Sequence, residues 1–263
     1  MKTITVITGA TGGLGGAFVE EMARRGENML LTGRSLDKLL ALKNRLAAEF
    51  PTLWVEVCPA DLSDEKSRAD LIEKMSDKSV RIGRLVNAAG ADIQKPFLDY
   101  TQEKIAFQCR ANFEAAVSLC HAAIKNADSG LEILNISSVS GIYPMPYFSI
   151  YSAAKGALTS FSTALREEVK GSGVKVTAVL PGAMPTREDV KEQIKGQGLW
   201  GKLAAKSPTW VVKKSLDAVK KNRRRYIPGF FNKLMNFGTK LLPLSWKLAF
   251  IAKRWSKISK DAF

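Results

Sequence analysis

Short runs of nearly continuous apolar residues alternate along this chain with longer stretches whose apolar positions recur every third or fourth residue. The runs TITVIT (residues 3–8), NMLLTG (28–33), WVEVCP (54–59), RLVNAAG (84–90), LEILNIS (131–137) and KVTAVLPG (175–182) have the two-sided hydrophobic character of strands covered on both faces. Between them, FVEEMARRG (18–26), LDKLLALKNRLAAEF (36–50) and SFSTALREEVKGSG (160–173) are amphipathic and read as helices. Such alternation predicts an α/β fold with a doubly wound parallel sheet, Rossmann-like, with helices on both faces. RRRYIP (223–228) adds a seventh short strand. The N-terminal apolar run is too short, and too soon followed by glycine, for a signal peptide. No internal repeat, low-complexity segment or interdomain linker interrupts the series.

Composition narrows the class. At 263 residues and 46% hydrophobic, with ordinary Pro and Gly content, the chain holds enough apolar material for one globular core and is neither fibrous nor disordered. One domain over residues 1–228, followed by a basic helical extension over 229–263, is the expected organisation. Cys58, Cys109 and Cys120 are scattered, form no C-x-x-C and sit in apolar, core-like surroundings, so they read as reduced thiols of a cytoplasmic protein. His121 is the sole histidine, read as a helix residue engaged in packing. No metal site is expected, and a Ser-His-Asp triad would have to recruit that one residue. The net charge of +15 is uneven: residues 1–190 hold 22 basic and 22 acidic side chains, residues 191–263 hold 18 and 3. The excess therefore lies wholly in the tail, which suits an anionic membrane surface or a nucleic acid; no nucleic-acid module accompanies it, so nucleic acid is not the expected partner.

In a doubly wound sheet, ligands sit beyond the carboxyl ends of the strands. The first such turn, TGATGGLGG (8–16), offers glycines that let the backbone approach a pyrophosphate at the N-terminus of the next helix. Its spacing fits both Gly9, Gly12, Gly15 and Gly9, Gly13, Gly15. At the end of the second strand, where an NAD-binding protein usually places an acid, Gly33 is followed by Arg34, whose planar fork suits a 2′-phosphate, so NADP(H) is the expected cofactor.

YSAAK (151–155) puts Tyr151 and Lys155 one helical turn apart on one face. A phenol titrates near ~10 in water, too high for acid–base work at neutral pH, and a neighbouring cation favours its phenolate. Upstream, SSVSG places Ser138 at the carboxyl end of a strand; NAAG (87–90) ends the fourth strand, Asn112 lies in the following helix, and PGAMPT (181–186) follows the sixth strand. With these in order the sequence resembles the short-chain dehydrogenase/reductase family, compact single-domain branch, over residues 3 to about 190. That resemblance favours T-G-x-x-x-G-x-G, hence Gly9, Gly13 and Gly15.

The resemblance implies a hydride transfer between a nicotinamide and a carbonyl or secondary alcohol. Tyr151 would give or take the proton, Lys155 would lower its pKa and hold the nicotinamide ribose, Ser138 would stabilise the substrate oxygen, and Asn112 would hold a water relaying protons from Lys155 to solvent. Gly9, Thr11, Gly13, Leu14 and Gly15 would line the pyrophosphate, with Arg34 and Ser35 at the 2′-phosphate. Asp61 and Leu62 would meet the adenine; Asn87, Ala88 and Gly90 would line the adenosine side. Pro181, Gly182, Met184 and Thr186 would dock the carboxamide. Each has a structural alternative: Ser138 capping a turn, Asn112 a surface amide, Asp61 capping the next helix. Helices 102–126 and 150–171 would pair between subunits of a homodimer or tetramer. The competing class is a dinucleotide-binding regulatory or scaffold protein without catalysis.

Beyond residue 190 the resemblance is thin. Leu199, Trp200 and Leu203 read as an apolar lid, and Tyr143, Met145, Tyr147 and Phe148 as an aromatic wall favouring a hydrophobic ketone, steroid-like or acyl-chain compound over a sugar. In the tail, Lys233, Lys240, Lys247 and Arg254 recur every seven residues among Phe230, Leu234, Phe237, Leu241, Leu248, Ile251, Trp255 and Ile258, with Pro243 dividing two helices. Two fates stay open for them: peripheral attachment to an anionic membrane, or packing as a lid or subunit contact.

Overall fold

The computed structural model describes residues 1–127, 130–186, 190–192, 194 and 203–256; Leu199, Trp200 and Ile258 lie outside the described residues. Seven parallel strands, β1 (Lys2–Thr8), β2 (Asn28–Gly33), β3 (Val55–Pro59), β4 (Val80–Asn87), β5 (Glu132–Ile136), β6 (Lys175–Val179) and β7 (Arg225–Tyr226), form one sheet in the order β3-β2-β1-β4-β5-β6-β7. β1 pairs with both β2 and β4, so the winding reverses there and opens a crevice at the carboxyl edge.

The helices divide between the two faces as the strand pattern requires. On one face α1 (Gly13–Arg24), α2 (Leu36–Glu49) and α7 (Pro208–Lys220) bury Phe18, Met22, Leu39, Leu46 and Leu216. On the other, α3 (Glu65–Met75), α5 (Ala115–Lys125) and α6 (Ser149–Glu168) cover Ile4, Val6 and Ile133 with Leu71, Leu119 and Phe161. Helix starts are fixed by short polar side chains: Ser35 accepts from Lys38 N (3.3 Å), Asp64 from Ser67 N (2.8 Å) and Ser207 from Trp210 N, with Pro208 in the first turn.

Three expectations need correction. The helix expected over 102–126 is interrupted: α4 (Gln102–Cys109) passes through a π-helical turn, Arg110–Glu114, before α5 begins, and Asn112 sits in that turn. Cys58 and Cys120 are core residues, but Cys109 is exposed at the end of α4. His121 points to solvent on α5 rather than packing. In both misreadings the neighbours in sequence are apolar, yet a helix sends adjacent residues to different sides.

After β7, α8 (Phe230–Lys240) and α9 (Leu244–Trp255) are separated at Pro243, as the sequence predicts. The basic tail is not one patch. Arg223, Arg224 and Arg225 are exposed where β7 begins, at the amino edge of the sheet, while α8 and α9 leave its carboxyl edge. No helix among the described residues is long and apolar enough to cross a membrane.

Candidate active site

At the carboxyl edge of β1 the glycines are spatial necessities. Gly9 has φ +64°, and a Cβ there would lie 3.0 Å from Ala89 Cα; one on Gly15 would lie 2.0 Å from Gly9 O. A Cβ on Gly13 would sit 2.5 Å from Thr186 Cβ, whereas on Gly12, which caps α1, it would meet Gly9 O at a milder 3.2 Å. The tight positions are thus 9, 13 and 15. Leu14 is buried behind them. Next to this turn, Gly33 faces Thr11 Oγ1, which a Cβ would approach to 3.3 Å, and Arg34 is exposed beside it with Ser35 capping α2. The result is a backbone-lined cradle at a helix N-terminus with a guanidinium at its rim.

Tyr151 and Lys155 occupy the first turns of α6. The same helix face carries Thr159 and Ser162, and this polar stripe fastens α6 to β5: Ser137 Oγ donates to Lys155 O (2.7 Å) and Asn135 Nδ2 to Ser162 Oγ (2.9 Å). A close approach completes the joint. A Cβ on Gly141 would lie 2.6 Å from the Lys155 carbonyl carbon and 2.8 Å from Gly156 N, so the turn Val139–Gly141 rests directly on the helix backbone. Ser138 heads that turn at the end of β5; its hydroxyl accepts from Ser140 N (3.1 Å) and donates to Ser140 Oγ (3.0 Å). It does cap a turn, while standing half-buried at the strand end.

Lys155 is 4% exposed, its Nζ 5.7 Å from the Tyr151 ring centroid and donating to Ile136 O at 2.9 Å. A Cβ on Gly90 would meet Asn112 Oδ1 at 2.8 Å and Lys155 Nζ at 3.1 Å, so these three residues converge on one point. Both amide protons of Asn112 are used, by Ala91 O (2.8 Å) and Gln108 O (3.0 Å), and its Oδ1 accepts from Ala91 N (3.3 Å). The side chain therefore pins the π turn against the loop after β4; it is not a surface amide.

Burial lowers the Lys155 ammonium to about 8, and the negative charge of Asp92 pulls it partly back up. The folded protein then binds this proton less tightly than the unfolded chain does. The stability penalty is fully present below about pH 8 and fades as pH rises from there towards the unfolded value. The charge beside Tyr151 follows the same course, being present below about pH 8 and lost above it. Asp92→Asn should lower the Lys155 value further and move the alkaline limb of the pH–rate profile to lower pH; an unmoved limb would show that Asp92 does not support this charge.

The remaining expected contacts fall unevenly. Asp61 accepts from Ser63 N (2.9 Å) and Ser63 Oγ (2.7 Å), and it is Asp64 that caps α3. Leu62 buries its side chain in the core, so only its main chain is offered to the crevice. Asn87 likewise turns its side chain inward, donating to Asn135 Oδ1 at 2.8 Å, and ties β4 to β5. Ala88 packs on the core beside β4. In the segment after β6, Pro181 is buried and its carbonyl accepts from Val139 N (3.0 Å); Gly182 lies against Asn232 of α8, whose Nδ2 a Cβ would approach to 2.8 Å. Met184 O accepts from Thr186 N (2.7 Å), folding Thr186 over Gly13. Leu203 is exposed.

Of the fates left open for the tail, packing as a lid is the one the inner side of α9 takes, through a pairing the sequence did not indicate. Phe148 stacks on Tyr151 (centroids 4.4 Å apart, planes at 20°), and Trp255 of α9 lies parallel to Phe148 (6.2 Å, 11°). Ile251 joins them with Met145 and Tyr143, and burial raises the Tyr143 phenol above its ordinary value. Alongside runs a groove of about 370 Å3 between Tyr143, Met145, Pro146, Ser152 and Leu248. Tyr147 holds φ +62°, a conformation rare for a non-glycine residue and a mark of local strain in the segment before Tyr151. No sequence period joins residue 148 to residue 255, though both are aromatic.

A doubly wound sheet with a glycine cradle at its switch point and a buried lysine under a tyrosine is the architecture of a dinucleotide-dependent oxidoreductase. The chain belongs to the short-chain dehydrogenase family, whose family model matches residues 3–195. It is 32% identical over 190 residues to sulfoacetaldehyde reductase 2 of Chromohalobacter salexigens, covering 71% of this chain and 74% of that one. To the very-long-chain 3-oxoacyl-CoA reductase of Bos taurus it is 35% identical over 193 residues, 69% of this chain and 59% of the relative. A short-chain dehydrogenase from Sphingobium yanoikuyae, solved in complex with NADPH, superposes with TM-score 0.74 at 28% identity, covering 98% of this chain and 97% of that one. A 7β-hydroxysteroid dehydrogenase shares the fold at TM-score 0.84 and 22% identity, covering 95% and 96%.

Proposed function

We propose that this protein is an NADP(H)-dependent carbonyl reductase or alcohol dehydrogenase acting on a hydrophobic substrate. The observation that carries this reading is the buried Lys155 ammonium beneath Tyr151, converging with Asn112 and Gly90 at the open edge of the sheet. The glycine cradle fits a dinucleotide, because backbone at Gly9, Gly13 and Gly15 leaves no room for a Cβ and exposes the N-terminus of α1 to a pyrophosphate. A nicotinamide bound there supplies or accepts hydride at the substrate carbon. The Tyr151 hydroxyl donates its proton to the carbonyl oxygen in reduction and takes it back in oxidation. Lys155 favours the charge that remains on the phenol oxygen, and the Ser138 hydroxyl, a free rotor, turns from Ser140 to the substrate oxygen. With both Asn112 amide protons committed to Ala91 O and Gln108 O, its side-chain nitrogen has no proton left to offer a relay water.

The relatives support this reading: two are named reductases, and the Sphingobium neighbour carries NADPH. The wall of Tyr143, Met145, Phe148, Ile251 and Trp255 favours an apolar substrate. A homodimer or tetramer through α4, α5 and α6 belongs to the same reading. The test is a scan of NADPH oxidation against carbonyls of graded chain length, expected to show turnover that improves with apolar length; binding of NADPH without turnover of any carbonyl would leave the scaffold class standing.

Arg34 decides between the two nicotinamide cofactors. Each charge-assisted hydrogen bond to a 2′-phosphate contributes about 1.5–3 kcal/mol, so Arg34→Ala should lower kcat/KM for NADPH by about 10- to 150-fold and barely affect NADH. Equal losses with both cofactors would remove Arg34 from phosphate recognition.

A further inference from the structure

Helices α8 and α9 present one side to the molecule and another to solvent. Asn232, Ile251 and Trp255 face inward. Phe230, Leu234, Phe237 and Leu241 are spaced as a single stripe along α8 and are exposed; Leu242 and Leu244 continue it through the Pro243 turn, and Trp246 and Phe250 extend it one turn apart on α9. The four rings and Leu241 are each 64–80% exposed. Single exposed hydrophobic residues are ordinary on a protein surface, but a run of this length marks an interaction site.

Charge identifies the partner. Between Asp217 and Asp261 there is no acidic residue and there are twelve Lys/Arg. Three of these, Arg223–Arg225, belong to the far edge of the sheet, whereas Lys233, Lys253 and Arg254 are exposed on α8 and α9, and Lys247 is partly so. A second copy apposed through the same two helices would set cation against cation with no anion to intervene. A nucleic acid would meet the charge but leave the aliphatic and aromatic stripe in water. An anionic bilayer satisfies both, taking rings and leucines into the acyl boundary and lysines at the headgroups. With 11 and 12 residues, these helices fall short of the roughly 20 needed to span a bilayer and suit lying in its interface.

We propose that α8 and α9 form an interfacial anchor that seats this protein on an anionic lipid surface through Phe230, Leu234, Phe237, Trp246 and Phe250. Because the inner side of α9 roofs Tyr151, seating brings the mouth of the site beside the bilayer, and the substrate is a lipophilic carbonyl that partitions there. The substrate clause rests on the reductase reading above; the anchor itself does not.

The anchor is tested on the full chain by co-sedimentation with phosphatidylcholine vesicles with and without phosphatidylserine, comparing wild type with Phe237→Ser/Trp246→Ser/Phe250→Ser. Truncating the helices would be a poor test, since it removes the roof of the site. The substituted side chains are exposed, so thermal unfolding and turnover of a water-soluble carbonyl should be unchanged. Wild type should bind the phosphatidylserine vesicles, more weakly as salt rises, and the triple variant about tenfold less or worse. No binding by wild type, or equal binding by the variant, would overturn the proposal. Failure to bind combined with a smaller oligomer for the variant in sedimentation would assign the stripe to a second copy. Vesicle binding by a protein that turns over no carbonyl would keep the anchor and sink only the substrate clause.

Discussion

Tyr151→Phe should lower kcat by about 10²- to 10⁴-fold while NADPH binds as before. The substitution deletes one hydroxyl and keeps the ring, whose stacking on Phe148 at 4.4 Å holds the first turn of α6 in place. Lys155 stays fixed by Ile136 O and Asn112 by Ala91 and Gln108, so neither the cradle nor the lysine has reason to move. The loss therefore isolates proton transfer. Steady-state turnover alongside a fluorescence titration of NADPH separates the two effects, and undiminished turnover would refute the assignment of Tyr151 as the acid–base group.

Gly141→Ala is expected to damage both stability and catalysis, although residue 141 touches no reacting group. Its Cβ would press on the Lys155 carbonyl carbon at 2.6 Å and on Gly156 N at 2.8 Å. Helix backbone cannot yield as a flexible side chain does, so either the Ser138 turn or α6 must shift. Overpacking of this kind costs about 1–3 kcal/mol, and each kcal/mol lowers Tm by about 2–4 °C in a domain of this size. A displacement near 1 Å between Ser138 and Tyr151 removes about 10²-fold in rate. Gly238→Ala is the control, since a Cβ there meets nothing within 4 Å. A Gly141→Ala protein with wild-type Tm and kcat would mean that the contact is looser than these distances state.

Most of the frame is legible in the sequence because two-sided burial leaves a strong mark: β1, β2 and β5 fall where TITVIT, NMLLTG and LEILNIS place them. The Tyr151–Lys155 pair is legible too, since helical spacing alone puts the two on one face. The turn at Asn112 is not. A π turn is set by how α4 and α5 pack around Gly90 and Ala91, and no residue type announces it. Asn87 follows a similar logic: its place at the end of β4 is plain in the sequence, but the bond of its side chain to Asn135 on the neighbouring strand is not. The contact of Trp255 with Phe148 was hidden for a different reason, because the break at Pro243 frees α9 from the register of α8 and the partner of Trp255 lies more than a hundred residues upstream.

The stack of Trp255 on Phe148 has a consequence for how the site can be observed. An aromatic pair contributes about 0.5–1.5 kcal/mol beyond the area it buries, only one to a few times the thermal energy. It adds to the burial of Ile251 against Met145 and Phe148, so the far end of α9 is tied by packing to the ring that covers Tyr151. The Trp255 indole is thereby placed as a fluorescent reporter of whatever displaces that ring.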